Sequence, residues 1–254
     1  MTSTKGTVLV TGAGRRIGKA IALDLTAHGY KIAIHANSSG AEAEAVAGFI
    51  RDAGGVAEVF LADLSEGKAA RELYKNVATR MGAPVIIVNN ASVFEDDDVR
   101  DFDEELFDRH FAIHVKAPAI LAQSMATSLA DDQEGLIVNI IDQRVWKLTP
   151  RFFSYTLSKA ALWTATQTMA QALAPRIRVN AIGPGPTLAN ERQKAEDFAR
   201  QTAAVPLGRG PELAEFGATI RYLHEARSVT GQMIALDGGQ HLAWETPDVS
   251  GVGE

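Results

Sequence analysis

Hydrophobic residues along this chain fall into short strand-like runs separated by longer stretches with helical spacing. The runs are rich in valine, isoleucine and leucine, and they span residues 7–10, 31–35, 56–61, 85–88, 136–141, 178–182 and 233–236. Several of the intervening stretches repeat apolar residues three and four positions apart, and the longest covers residues 152–173. Because strands that alternate with helices form βαβ units, the pattern predicts an α/β fold with a doubly wound, parallel seven-stranded sheet and helices on both faces.

Composition narrows the class of protein. The chain has 254 residues, 46% hydrophobic and 22% charged, and no Pro/Gly/Ser linker divides it. We therefore expect a single domain over residues 1–254, with a loose tail at 247–254. The formal net charge of −6 argues against a nucleic-acid partner, because an acidic protein has no general attraction for phosphate backbones.

Further absences in the sequence exclude other classes. The chain has no cysteine, which excludes a disulfide scaffold, a cysteine-ligated zinc site and a thiol nucleophile, and we expect no metal. No apolar run reaches the about 18 residues that a membrane helix needs. The polar start, residues 1–6, leaves no room for a signal peptide before the first strand. These features predict a cytoplasmic protein with no membrane partner.

A glycine-rich loop, residues 11–18, joins the first strand to the first helix. Gly12 suits a tight turn, and Gly18 allows close packing of the helix. A helix N-terminus offers free N–H groups to a pyrophosphate, so Gly12 and Ile17 are candidate cofactor contacts. Arg15 and Arg16 flank this site, where guanidinium groups suit phosphate. Glycines also close turns that bind nothing, so the loop alone leaves that alternative open.

The second strand is followed by Asn37, Ser38 and Ser39. An NAD-selective site usually has an acidic residue here for the ribose hydroxyls, and an acid would repel a 2′-phosphate. Amide and hydroxyl groups can donate to that phosphate, and Arg16 is a possible neighbour, so the segment favours NADP(H). A turn and helix cap is the alternative interpretation, and the two are compatible.

Tyr155 and Lys159 are four residues apart within the long helical stretch, so they share one helix face. A nearby ammonium and a cationic nicotinamide ring are expected to lower the tyrosine pKa from about 10, which would let the phenol transfer a proton near neutral pH. The spacing by itself is common, and it gains weight only together with the glycine loop.

The chain resembles the short-chain dehydrogenases/reductases over almost its whole length. The motifs that carry the resemblance are residues 11–18, Asn89-Asn90-Ala91-Ser92, the Tyr155/Lys159 pair, residues 178–185, and residues 231–232 with 237–239. The resemblance implies a Rossmann fold that is often a homotetramer. It also implies cofactor contacts at Asp63, Leu64, Asn90, Ala91, Ser92, Tyr155, Lys159, Pro184, Gly185 and Thr187. Asp63 has an alternative role as the N-cap of a helix beginning near Ser65.

Four positions depart from the usual family pattern. Arg16 and Ser92 replace glycines, Asp142 replaces the catalytic serine, and His114 replaces an asparagine. These changes are compatible with an inactive enzyme. Arg16, Ser92, Phe94 and Asp142 together, however, resemble the pteridine reductase and dihydromonapterin reductase subgroup. That resemblance assigns substrate contacts to Arg16, Ser92, Phe94, Asp142, Tyr155 and Leu188.

The Asp142 substitution makes chemical sense for a pterin. A ketone needs a neutral donor on its oxygen, which an ionised aspartate is not, whereas a pterin has N–H groups that need acceptors. Asp142 can accept from the ring, or raise the proton affinity of Tyr155 and relay a proton with it. Phe94 would cover the flat heterocycle. The alternatives are that Asp142 caps the following loop and that Phe94 belongs to the core.

Other segments are less informative. His114 is a candidate catalytic residue that would hold a relay water near Lys159, or else an ordinary helix residue. The acidic run 95–98 is expected to be a solvated loop, and residues 187–204 are expected to form a lid. Arg144, Trp146 and Lys147 lie between Asp142 and Tyr155, in a region where selectivity would reside.

The sequence therefore predicts an NADPH-dependent reductase of a dihydropterin that uses Asp142, Tyr155, Lys159 and His114. A carbonyl or alcohol oxidoreductase of the same family, acting on a 3-oxoacyl or sugar-type substrate, is the first alternative. A non-catalytic nucleotide-sensing protein is the second, since a fold by itself never establishes activity.

Overall fold

A computed structural model describes residues 4–189 and 193–244, whose strands form one parallel sheet in the order β3-β2-β1-β4-β5-β6-β7. The strands are β1 Thr7–Val10, β2 Lys31–Ala36, β3 Ala57–Leu61, β4 Pro84–Asn89, β5 Gly135–Ile140, β6 Ile177–Pro184 and β7 Met233–Leu236. The predicted doubly wound α/β sheet is confirmed, and each strand lies within two residues of its predicted bounds. The predicted tail at 247–254 lies outside the described residues.

Helices cover both faces of the sheet. They are α1 Arg16–Ala27, α2 Gly40–Asp52, α3 Gly67–Met81, α4 Glu104–Phe111, α5 Ala117–Ser128, α6 Phe153–Leu173, α7 Ala195–Ala203 and α8 Leu213–Glu225. A single π-helical turn, Ala112–Lys116, joins α4 to α5 without a break. Two short 3₁₀ turns lie at Gln143–Val145 and Gln240–Leu242. No helix in 4–189 or 193–244 is long and apolar enough to cross a membrane.

Successive side chains along each strand point to opposite faces of the sheet, so the strands contribute to two hydrophobic cores. Val8 and Val10 of β1 pack on one face with side chains of α1, α2 and α8, whereas Leu9 packs on the other face with α3 and α5. All three are fully buried. Because helices cover both faces of the sheet, each strand appears in the sequence as a continuous apolar run. The positions of the strands were therefore predicted well.

The sheet order reverses at β1, which lies between β2 and β4. In doubly wound sheets, ligands bind beyond the carboxyl ends of the strands at such a reversal point. The loops that follow β1, β4, β5 and β6 meet at this edge, and they hold the chemically distinctive residues of the sequence.

Candidate active site

The loop after β1 is held in place by neighbouring strand ends. Gly12 has a positive φ of 64°, a conformation that favours glycine. The Asn90 side-chain amide donates to the carbonyls of Thr11 and Gly12 at 2.9 and 3.0 Å. A Cβ on Gly18 would overlap the carbonyl of Gly12. Only glycine at position 18 therefore lets α1 begin directly against the loop.

His35 is a part of this loop's support that the sequence analysis missed. It lies at the end of β2, 2% exposed, and its Nδ1 accepts from the backbone N–H of Gly12 at 3.1 Å. Because Nδ1 accepts, Nε2 carries the hydrogen and donates to the carbonyl of Ala62 at 3.0 Å. The neutral imidazole thus links the end of β2 to the loop after β1 and to the segment after β3. The sequence feature that could have indicated this role is a histidine at the carboxyl end of a predicted strand.

Arg16 joins the glycine loop to the segment after β6. Its guanidinium donates to the carbonyls of Leu188 and Ala189 at 3.0 and 2.9 Å. Its φ of 53° lies in the left-handed region, where an arginine is strained and a glycine is not. The structure thus brings Arg16 beside Leu188, while Arg15 stays exposed at the start of α1.

The segment after β2 is open to solvent. Asn37 and Ser38 are exposed, and Ser39 stands at the N-cap position of α2 without a capping side-chain hydrogen bond. The backbone of Gly14 approaches Ser39, since a Cβ on Gly14 would lie 3.3 Å from both the carbonyl oxygen and Oγ of Ser39. These three residues and the glycine loop therefore border one exposed cleft.

Asp63 lies in a turn after β3. Its Oδ1 accepts from the backbone N–H and the hydroxyl of Ser65 at 2.9 and 2.7 Å, and these bonds lower the pKa of Asp63. Because α3 begins at Gly67 and its N-cap position is Glu66, the N-cap interpretation of Asp63 is wrong. Asp63 is exposed next to the buried Leu64, at the same edge of the sheet as Asn37.

Tyr155, Lys159 and Asp142 lie close together, and a hydrogen bond joins two of them. The Tyr155 hydroxyl donates to Asp142 Oδ2 at 3.0 Å. Lys159 Nζ lies 5.6 Å from the centre of the Tyr155 ring and donates to the carbonyl of Ile140 at 2.8 Å. Asp142 Oδ1 also accepts from the backbone N–H of Arg144 at 2.8 Å. Asp142 therefore caps its loop, as the alternative interpretation has it, and at the same time contacts the tyrosine.

The expected fall in the Tyr155 pKa is wrong for this arrangement. Burial, reinforced by the Asp142 charge, raises the pKa of Tyr155 well above its ordinary value. Burial also raises the pKa of Asp142 and lowers that of Lys159 to about 8. The phenol thus holds its proton against the carboxylate, and the second of the two sequence hypotheses for Asp142, a raised proton affinity of Tyr155, agrees with the geometry.

Phe94 lines the open side of this group. It is 36% exposed, stacks on Phe152 with 4.3 Å between ring centres, and meets the Tyr155 ring edge-on at 4.8 Å. The interpretation of Phe94 as a core residue is therefore wrong. Phe152, whose φ is 58°, was not singled out from the sequence.

The expectation that the acidic run 95–98 is a solvated loop is wrong for Asp97, whereas Glu95, Asp96 and Asp98 keep partly exposed side chains. Asp97 is 8% exposed, and its carboxylate accepts from the backbone N–H of Ser154 at 3.0 Å in the first turn of α6. Asp96 pairs with Arg151 at 2.8 Å, and Glu95 with Arg109 at 2.6 Å. Carboxylates satisfy the free N–H groups of a helix start, which explains why they anchor the helix that bears Tyr155.

His114 lies in the π-helical turn and is 1% exposed. Its Nε2 accepts from the backbone N–H of Val93 at 3.2 Å and lies 2.9 Å from Ser92 Oγ, while Nδ1 lies 2.8 Å from Ser158 Oγ. Burial, together with the Lys159 charge, lowers the pKa of His114 well below its ordinary value. The ring is therefore neutral, and hydrogen bonds with Val93, Ser92 and Ser158 occupy both of its nitrogens.

A cavity of about 10 Å³, the size of one water molecule, lies beside His114 and Lys159 and is also lined by Thr11 and Asn89. Asn89 is one end of a buried amide ladder, since its side chain donates to Asn139 at 2.8 Å and Asn139 donates to Thr166 at 2.8 Å. The ladder ties β4 and β5 to α6, which holds the polar lining of the cavity in place.

The turn after β6 completes the site. A Cβ on Gly185 would lie 2.6 Å from the Cα of Asp237, so the turn passes close to the segment after β7. Thr187 Oγ1 donates to the carbonyl of Gly185 at 3.1 Å, and Pro184 ends β6. Of the predicted lid, residues 190–192 lie outside the described part, and 193–204 include α7.

A family model described as enoyl-(acyl carrier protein) reductase matches residues 12–241. The chain belongs to the short-chain dehydrogenase/reductase family. A Brucella canis structure, FolM alternative dihydrofolate reductase 1 complexed with NADP, is 62% identical and superposes with a TM-score of 0.94 over 97% of this chain and 98% of that one. The Brucella suis FolM structure in complex with NADP is also 62% identical, with a TM-score of 0.94 over 96% and 98%.

Members of the family with other named activities are also similar. The 3-oxoacyl-[acyl-carrier-protein] reductase FabG of Staphylococcus epidermidis is 29% identical over 92% of this chain and 98% of its own length. A Methylorubrum extorquens protein described as an uncharacterized oxidoreductase is 33% identical over 94% and 99%. The predicted membership of this oxidoreductase family is therefore confirmed.

The buried histidines of this short-chain dehydrogenase/reductase give its stability a predictable pH dependence. Burial lowers the pKa of His35, His110 and His114, whereas the unfolded chain protonates near pH 6.5. As pH falls below about 6.5, the unfolded state takes up protons that the native state does not. The free energy of unfolding should then fall by up to about 1.4 kcal/mol per pH unit for each such histidine, opposed by Asp142, whose raised pKa acts in the other direction.

Urea unfolding at pH 7.5, 6.5 and 5.5 measures this slope. In a His35→Gln variant, the free energy of unfolding should depend less steeply on pH, and the slope should fall by the contribution of one histidine. The reason is that one of the groups that titrate only in the unfolded state is gone. A protein that became more stable between pH 6.5 and 5.5 would show that these histidines are not held neutral.

Proposed function

We propose that this protein is an NADPH-dependent reductase of a dihydropterin. The observation that carries the proposal is the 3.0 Å hydrogen bond from the Tyr155 hydroxyl to Asp142 Oδ2. A carboxylate at this place accepts hydrogen bonds, which suits the N–H groups of a pterin ring and not a ketone oxygen. The 62% identity to the two FolM dihydrofolate reductases supports the same substrate class.

The cofactor of the proposal is NADP(H). The glycines at 12, 14 and 18 let the loop pack closely against neighbouring backbone, so that α1 begins directly behind it with free N–H groups for a pyrophosphate. The FolM structures contain NADP, which supports the 2′-phosphorylated form. The proposed cofactor contacts are Gly12, Arg15, Arg16, Ile17, Asn37, Ser38, Ser39, Asp63, Leu64, Asn90, Ala91, Ser92, Tyr155, Lys159, Pro184, Gly185 and Thr187. When bound, the nicotinamide supplies the hydride.

Selectivity for NADPH over NADH is testable at Asn37. The residue is exposed at the end of β2, and no acid stands within residues 37–39. We expect NADPH to bind at least about tenfold tighter than NADH, and Asn37→Asp to reduce or reverse that ratio by repelling the 2′-phosphate. Fluorescence titration of both nucleotides measures it. Tighter NADH binding by the unmodified protein would refute the argument from residues 37–39.

Three side chains manage the proton in this proposal. Tyr155, whose pKa is raised, keeps its proton and presents it beside Asp142. Asp142 accepts a hydrogen bond from an N–H group of the ring, and the proton that the C=N nitrogen gains as its carbon receives the hydride comes from Tyr155, directly or through Asp142. Lys159, with a pKa of about 8, is positively charged near neutral pH and stabilises whichever oxygen of the pair is anionic.

The walls of the site fit a flat heterocycle. Phe94 presents a partly exposed ring next to Tyr155, which would stack on the bound ring. Arg16 is hydrogen-bonded to the carbonyl of Leu188 in the segment after β6, and Ser92 is exposed after β4. His114 acts here by positioning Ser92 and, with Lys159, by bordering the water-sized cavity, which is suited to a proton relay.

The proposal also includes one domain over residues 1–254, a cytoplasmic location and a homotetramer. A 3-oxoacyl reductase is the second candidate, because FabG of Staphylococcus epidermidis is 29% identical over nearly the whole chain. The two candidates differ in what they require at position 142: a neutral donor for the ketone, and an acceptor for the pterin.

A substrate screen separates the candidates. NADPH oxidation is followed with dihydrobiopterin, dihydromonapterin, dihydrofolate and a panel of 3-oxoacyl and sugar ketones. We expect kcat/KM for at least one dihydropterin to exceed that for every ketone by about 100-fold or more, which corresponds to about 2.7 kcal/mol of differential transition-state binding. Faster turnover of a ketone would support the second candidate instead.

A further inference from the structure

Arg144 lies at the active site, and within residues 4–189 and 193–244 its guanidinium has no carboxylate partner. It belongs to the 3₁₀ turn that follows Asp142, and only its backbone N–H bonds to that carboxylate. The guanidinium carbon lies 5.2 Å from the centre of the Phe94 ring and 4.9 Å from that of Phe152. These are cation–π distances, so the charged group rests against the aromatic wall of the site.

One nitrogen of this guanidinium is buried and unsatisfied. Arg144 Nη1 has no hydrogen-bond partner among the residues that the structure describes. A buried donor without an acceptor costs about 1–3 kcal/mol, and more for a charged group, so such atoms persist mainly where a ligand or solvent completes them. Packing on two rings accounts for the position of the side chain, but it leaves this N–H group unused.

The neighbouring arginines show that acceptors were available to other side chains. Arg109 pairs with Glu95, Arg151 with Asp96, and Arg100 with Asp98. Glu95, Asp96 and Asp98 are thus each paired with an arginine, and in no case is that arginine Arg144. Asp142, two residues away, accepts from Tyr155 and a backbone N–H, and it forms no ion pair with the Arg144 guanidinium.

We propose that Arg144 is a substrate-binding residue whose guanidinium donates a hydrogen bond to an oxygen acceptor on the bound heterocycle. This rests on the proposed function and deepens it, because it adds a donor next to the Asp142 acceptor. The acceptor is a ring oxo group or a carboxylate on the ligand's side chain. A donor and an acceptor two residues apart would together favour a ligand that carries both an N–H group and an oxygen.

Arg144 also acts on the charge of its neighbour. Among the influences that oppose the burial of Asp142, the positive charge of Arg144 is the largest. Removing that charge should therefore raise the pKa of Asp142 and shift the acid limb of the rate profile to higher pH. A residue that served only to pack the two rings would not move this limb.

The test compares Arg144→Met with Arg151→Met. Methionine keeps an apolar stem over the rings but has no donor, and Arg151 is a matched control because it lies 5.5 Å from the same Phe152 ring while paired with Asp96. We expect Arg144→Met to raise the KM for the dihydropterin by about 10-fold or more, and to weaken biopterin binding to the NADPH-loaded protein by a similar factor. Arg151→Met should change both by less than about twofold, and neither variant should alter NADPH affinity.

The substrates separate the two sources of the acceptor. Equal losses for dihydrobiopterin and dihydrofolate would identify the ring oxo group, whereas a loss confined to dihydrofolate would identify a side-chain carboxylate. Similar small effects of the two substitutions, or an equal loss of NADPH binding in Arg144→Met, would overturn the proposal. If the unmodified protein binds biopterin through Arg144 but does not turn over a dihydropterin, the proposed function fails while this inference stands. If it binds no pterin, both fail.

Discussion

Replacing Asp142 by serine is expected to lower kcat/KM for the dihydropterin by about 100-fold or more and to leave NADPH affinity within about twofold. The substitution removes the acceptor that Tyr155 contacts at 3.0 Å and substitutes a hydroxyl that can donate to a ketone. Because the carboxylate raises the proton affinity of Tyr155, its loss should also lower the pKa of that phenol. Steady-state kinetics with the preferred dihydropterin and the best ketone measures both preferences.

Asp142→Asn is the matched control for shape. Asparagine keeps an acceptor oxygen but loses the charge and the capacity to take up a proton, so its dihydropterin activity should fall as well. Asp142→Ser should in addition raise the ratio of ketone to dihydropterin activity. A serine variant that reduced the dihydropterin faster than the unmodified protein would contradict the role assigned to the carboxylate.

Replacing Tyr155 by phenylalanine is expected to reduce turnover by about 1000-fold or more. The change removes the one hydroxyl that donates to Asp142 Oδ2, and a positioned proton donor contributes about 10²–10⁴-fold to rate. NADPH binding should change little, because a single hydroxyl is lost and the ring still packs edge-on against Phe94. Single-turnover NADPH oxidation together with NADPH titration separates the two effects.

Tyr74→Phe provides the control for this experiment. Tyr74 is also buried, and its hydroxyl lies 2.6 Å from that of Ser128; neither residue belongs to the proposed site. It should cost some stability and leave kcat unchanged. Retention of a tenth or more of the activity by Tyr155→Phe, with normal NADPH binding, would mean that another group supplies the proton.

The sequence predicted the sheet well because its strands are buried on both faces. Val8, Leu9 and Val10 form an unbroken apolar run, and the runs of the other strands are bounded by polar or glycine-rich segments. The need for glycine at position 18 was also predicted from the sequence, because a side chain there would block a close backbone contact between the loop and α1. Local sequence rules are sufficient where the physical cause lies within a few residues.

Features that depend on distant contacts were missed or wrong. The Tyr155 pKa was expected to fall next to the Lys159 ammonium and a cationic nicotinamide ring, but in the chain itself burial and the Asp142 charge raise it. The acidic run 95–98 was expected to be solvated, yet Asp97 anchors the start of α6 57 residues later, through the hydrogen bond that it accepts from the Ser154 backbone N–H. The support that His35 gives to Gly12 likewise depends on a contact between strand ends.

The helical segment from α4 to α5 was not predicted either. Its π-helical turn shifts the helical register, so a regular 3.6-residue repeat does not continue through residues 112–116. That turn carries His114 to Ser92 and Ser158. Sequence periodicity therefore failed at a place where an irregular backbone positions a site residue.

The most direct test is a crystal structure of the protein with NADP and a dihydropterin bound together. The account predicts that a carboxylate oxygen of Asp142 lies about 2.7–3.2 Å from a ring nitrogen or amino group of the pterin, with the Tyr155 hydroxyl still in contact with the carboxylate. An Asp142 side chain turned away from the bound ring would contradict the assignment of a pterin substrate.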